Sequence, residues 1–102
     1  MKKKNFNQYN VFFAVNTSEQ LKEIKKLCCT IFGGYSLQDM QGGWTSPSGE
    51  VVEEDSKFLQ ILTNKDERHI ENLCEHITKI ADQQEVFYIC SAVSLNVVKQ
   101  SK

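Results

Sequence analysis

Residues Gly33 to Lys57 read GGYSLQDMQGGWTSPSGEVVEEDSK. The stretch holds the only tryptophan, the only proline and all five glycines of the chain. A simple corner between two helices takes about two to five residues. This one is long enough to be structure in its own right. Ser46-Pro47-Ser48-Gly49 is a turn with a mechanism, because proline presets its own φ and glycine takes the backbone position that other residues avoid. Tyr35 to Trp44 before it alternates weakly through Tyr35, Leu37 and Met40, and the break near Asp39 suggests a bulge. Val51 to Leu62 after it returns as a second strand. The stretch therefore reads as a long β-hairpin.

A helix flanks the hairpin on each side. Upstream, Thr17 and Gln20 stand at capping-box spacing, in which each side chain satisfies the other residue's free N–H. Leu21, Ile24, Leu27, Cys28 and Ile31 follow at helical period, and Gly33-Gly34 stops the helix. Downstream, Asn64 is the expected cap, with Glu67 at the capping-box position. Ile70, Leu73, Cys74, Ile77 and Ile80 make that helix's apolar face. Beyond the helices lie apolar runs of strand formers, Val11 to Val15 on one side and Val86 to Val93 on the other, the latter extending toward Val98.

The order is strand, helix, strand, strand, helix, strand. Each half joins two parallel strands through a crossover helix. The fold class expected is α+β: a ferredoxin-like βαββαβ domain over 1–102, with two helices on one face of a four-stranded antiparallel sheet. Residues 1–9 and 99–102 are expected to fray, and Lys2, Lys3, Lys4, Lys99 and Lys102 read as solvated tails.

Composition narrows the function. A formal net charge of -1 does not fit a sequence-independent nucleic-acid binder, which needs a basic excess to displace counterions. The basic start runs into Asn5-Phe6-Asn7 rather than an apolar segment, and no window has the ~18 apolar residues of a membrane span. A cytoplasmic protein is expected. The four cysteines contain no C-x-x-C pair and read as reduced structural thiols. His69, Cys74 and His76 do not make a zinc site, because seven helical residues separate the histidines by ~10.5 Å. No metal or cofactor is expected.

The strands are apolar on both faces: Phe12 and Ala14 oppose Val11, Phe13 and Val15, while Phe87 and Ile89 oppose Val86 and Tyr88. A sheet with one wet face alternates with polar residues. Two helices cover only one face, so the other is expected to be covered by a second copy, as a homodimer or homotrimer.

Gly34-x-Ser36-x-x-Asp39-x-x-Gly42-x-Trp44-x-x-Pro47-x-Gly49, followed by Glu54-x-Ser56-Lys57, resembles the hairpin pattern of an uncharacterised family of small bacterial ferredoxin-like domains. Serine stands at position 36 where that family has threonine. The resemblance spans roughly Gly34 to Ile61 and implies the fold rather than an activity. In topology alone the chain is also similar to the PII-like group of trimeric sensors, whose ligands sit in clefts between subunits beside the hairpin.

The candidate ligand contacts are Tyr35, Ser36, Asp39, Trp44, Glu54, Lys57 and Arg68. Trp44 would stack a planar group, with Gly42 and Gly43 letting it approach the backbone. Ser36, Glu54, Lys57 and Arg68 would orient it, Arg68 from a helix N-terminus that favours anions. No catalytic residues emerge, since no nucleophile–base set or phosphate-binding loop is present. The expected function is a non-enzymatic homo-oligomer that senses or sequesters a small polar ligand such as a nucleotide. Two alternatives use the same features: an inhibitor or adaptor, for example encoded by a mobile element, that docks another protein through the hairpin, and a small oxygenase or isomerase of the dimeric α+β barrel type.

Overall fold

The computed structural model describes residues 2–101, and the side chains of Lys2, Lys3, Lys4 and Glu54 lie outside that description. The elements are β1 (Lys2–Ala14), α1 (Ser18–Phe32), β2 (Ser36–Thr45), β3 (Val51–Thr63), α2 (Glu67–Ile80) and β4 (Phe87–Val97). The sheet order is β2-β3-β1-β4, and each neighbouring pair is antiparallel. This is the split βαβ arrangement expected.

Local chemistry sets the element ends. The Gln20 N–H donates to Thr17 Oγ1 at 3.1 Å, while Gln20 Oε1 accepts from the Thr17 N–H at 3.2 Å. The capping box of α1 is thus closed on both sides. Gly33 ends the helix at φ +83, a left-handed position that costs glycine no Cβ clash. The hairpin turn closes through the Gly49 N–H to the Ser46 carbonyl at 2.9 Å, with Gly49 at φ +88.

The helices pack on one face of the sheet. Tyr9, Val11, Phe13, Leu59 and Ile61 point into the core from the strands, and Ile24, Cys28, Ile70, Leu73 and Ile77 meet them from α1 and α2. The opposite face is uncovered and mixed, with an aromatic cluster at the Phe12 end and the polar Gln8, Asn10 and Gln60 farther along. On it Phe12 stacks on Phe87 with ring centroids 5.0 Å apart and meets Phe58 edge-on at 5.2 Å. Phe87 is 60% exposed and Ile89 53% exposed.

Three expectations are corrected. Residues 2–9 do not fray: Lys2 to Tyr9 pair with β4 from Val97 to Cys90. The segment is too polar to look like a strand, but backbone pairing needs no apolar side chains. The cap of α2 is Asp66 rather than Asn64, its Oδ1 accepting from the Arg68 N–H at 2.9 Å. No bulge interrupts β2, whose ladder with β3 runs unbroken from Ser36–Gln60 to Thr45–Val51. Asp39 looked out of phase because the helix-side face carries polar residues where the hairpin passes beyond the core.

The hairpin and the β1–β4 ribbon draw the chain out to 59 × 27 × 25 Å, with a radius of gyration of 15.9 Å. A compact chain of this length has about 13 Å. Among the described residues, no helix is long and apolar enough to cross a membrane.

Candidate functional site

Side chains alternate along β2, so Met40, Gly42 and Trp44 share the uncovered face. Gly42 has no side chain to fill the gap between the other two. A Cβ there would meet Ser56 Oγ at 3.4 Å. Its φ is not in the left-handed region, so the glycine serves space rather than backbone shape. Trp44, half exposed, overhangs the gap from opposite Val52.

The result is a groove of ≈ 880 Å³. Its floor is Phe12 and Phe87, one side is Met40 and Trp44, and the far wall is the α2–β4 connection, Gln83 to Glu85. Small-molecule sites typically enclose about 300–1,000 Å³ and are mostly apolar with a few polar groups. The Gln83–Glu85 wall went unseen in the sequence, because three polar residues between a helix and a strand resemble any connecting loop. A smaller cleft of ≈ 360 Å³ lies along the middle of the β1–β4 ribbon, lined by Asn5, Asn7, Asn64 and Ser94 together with Phe6, Ala92 and Val93.

The structure does not gather the seven expected contacts round one point. Trp44 is on the groove. Ser36 is at the other end of β2, eight residues and about 26 Å from Trp44, and Tyr35 lies just before it. Asp39 and Lys57 face each other across the ladder on the helix side, where Lys57 Nζ donates to Asp39 Oδ1. The Lys57 side chain is 17% exposed and that of Asp39 84%. The hydrogen bond and charge of Lys57 hold the Asp39 carboxyl below its ordinary range. Lys57 is therefore committed to an internal partner. Arg68 sits in the first turn of α2, with its guanidinium 3.7 Å from the Asp66 carboxylate. That carboxylate already occupies the helix N-terminus where an anion was considered. Glu54 pairs through its backbone with Gly42, and its expected ligand contact lies outside the described residues.

Away from the groove, the Tyr88 hydroxyl donates to Glu67 Oε2 at 3.0 Å and ties α2 to β4. Tyr9 meets the Tyr88 ring edge-on at 5.8 Å.

No family model and no curated protein matches the chain in sequence, so the hairpin resemblance stands on its motif alone. Solved structures do match. The GlnK–ATP complex of B. subtilis superposes with a TM-score of 0.68 at 6% identity, over 87% of this chain and 82% of that one. This is the PII-like fold. A phage SAM lyase in its apo state gives a TM-score of 0.65 at 14% identity, over 93% of this chain and 92% of that one. CPII, a nitrogen regulatory PII-like protein of Thiomonas intermedia K12 bound to ADP, AMP and bicarbonate, gives 0.63 at 9% identity, over 96% of this chain and all of that one. CutA proteins share the PII-like fold too. At these identities the likeness concerns architecture, and function has to be argued from the groove.

Proposed function

We propose that this chain is the subunit of a homo-oligomer that binds an adenosine-bearing small molecule in the groove beside Trp44. The observation that carries the reading is the groove itself: an aromatic floor, an overhanging indole and a short polar wall, set on a sheet face the chain does not cover. A purine fits such a slot by stacking, while the amides of Gln83 and Gln84 supply donors and acceptors for its edge. The named neighbours add support, since ATP, ADP, AMP and SAM all contain adenosine.

In this reading the uncovered face is the subunit interface, and the groove lies at its margin. Tyr35, Ser36 and Arg68 are too far from Trp44 within one chain, so they contribute only if a second copy brings them there. The protein acts as a binder rather than an enzyme. The likeness to a lyase makes that worth a direct assay.

Trp44 is the chain's only tryptophan, so its emission reports the groove directly. Adenosine, AMP, ATP and SAM titrated to millimolar concentration should shift emission for at least one, and Trp44→Phe, which lacks the indole and is followed by calorimetry instead, should weaken that ligand several-fold. Silence from all four ligands would end the adenosine reading. Chromatography of SAM after incubation decides the second point: intact SAM supports a binder, and cleavage at the sulfonium makes the chain an enzyme.

A further inference from the structure

The groove's charge is one-sided. Among its described lining residues there is no lysine or arginine, and the one ionisable group is the Glu85 carboxylate. Lys57, a near neighbour in sequence, is on the other face of the sheet and bound to Asp39. We propose that the groove selects an organic cation, a sulfonium or quaternary ammonium on an apolar or aromatic body, and rejects polyphosphates. This rests on the reading above only in taking the groove as the ligand site.

The argument is electrostatic. Aromatic faces carry the negative part of a quadrupole and attract diffuse cations, most strongly at tryptophan. Trp44, Phe12 and Phe87 line one space, and because Phe12 and Phe87 stack on each other, Trp44 carries most of this attraction. Met40 adds a polarisable thioether. Glu85 supplies opposite charge at the rim, where it is exposed and salt weakens its attraction. A triphosphate would bring several negative charges against that carboxylate and a hydrocarbon floor with nothing to neutralise them. Gln83 and Gln84 are neutral and serve either sign equally, so they do not restore a preference for anions.

The decisive comparison holds the ligand body constant and changes its charge. S-adenosylmethionine carries a sulfonium, and S-adenosylhomocysteine is the same molecule with a neutral thioether. Both are titrated against Trp44 emission beside ATP, AMP and phenyltrimethylammonium. S-adenosylmethionine should bind about tenfold tighter than S-adenosylhomocysteine, with ATP weakest. In Glu85→Gln that ratio should fall toward one. Glu85 is exposed, so the variant should melt with the wild type.

Equal affinity for the two adenosyl compounds, or ATP binding as tightly as the sulfonium, overturns charge selection and leaves the adenosine reading standing. Binding of phenyltrimethylammonium but of no adenosyl compound does the reverse. Absence of binding by all five probes removes both.

Discussion

Cys28 and Cys29 are adjacent in the chain and opposite in environment. Cys28 is buried, and its thiol is pushed up to about 12 by burial first and by the neighbouring Cys29 second. Cys74 is pushed to about 11, again mainly by burial. Cys29 and Cys90 are exposed. Because the thiolate is the reactive form, a thiol reagent at neutral pH should label Cys29 and Cys90 quickly, and Cys28 and Cys74 only on unfolding. Fast labelling of all four in the native state would contradict the packing of α1 against α2. Tyr88 makes a second prediction at this scale. Burial and its hydrogen bond to Glu67 raise its phenol to about 12, above the ordinary value near 10. The neutral phenol is the form the fold favours. Its contribution is therefore complete below about pH 10 and is lost as pH rises through about 12. Tyr88→Phe should be less stable than wild type at pH 9 and show a shallower loss of stability between pH 10 and 12, measured by urea unfolding.

At the scale of elements, ends and turns carry specific costs. Thr17→Ala opens the capping box of α1 and should lower stability by about 1 kcal/mol. Asn64→Ala should cost less, since Asp66 caps α2. Urea unfolding of the two variants gives the ranking, and an equal loss would mean that Asn64 supports the helix after all. These ends show what was legible in the sequence. Thr17 with Gln20, Gly33, and Ser46 to Gly49 each encode their conformation locally, so they could be read from neighbours alone. The strand over Lys2 to Tyr9 could not, because its reason to exist is β4, some ninety residues away. The bulge at Asp39 was inferred from a lapse in alternation. The lapse arises because Asp39 is polar at a helix-side position, where Lys57 on the facing strand, again a distant residue, is its partner. The same division governs the site. Trp44 and Gly42 announce an open, stackable surface, whereas the Gln83–Glu85 wall acquires meaning only once the sheet carries it alongside Phe12 and Phe87.

For the whole molecule, shape and surface argue together. A radius of gyration of 15.9 Å is large for 102 residues, and one face of the sheet leaves Phe87 and Ile89 exposed. Both fit a subunit drawn out to reach its copies. Light scattering should report a particle at a multiple of 11.7 kDa. Ile89→Asp, which puts a carboxylate into the proposed interface, should release a folded single chain with its helices intact by circular dichroism. A wild type that already runs at 11.7 kDa, or an assembly indifferent to the aspartate, would count against the shared face. The hairpin adds a thermodynamic corollary. Among its described residues from Met40 to Phe58 none is buried, so in an isolated chain little more than the ladder and the turn holds it in shape. It then constitutes a separate cooperative unit, free to melt before the helical layer. With the lone indole on that unit and the ellipticity coming from α1 and α2, the two probes should give non-coincident transitions in Ile89→Asp and a single superimposed one in the assembled protein. Under the proposed assembly, order in the arm would be something the neighbours confer.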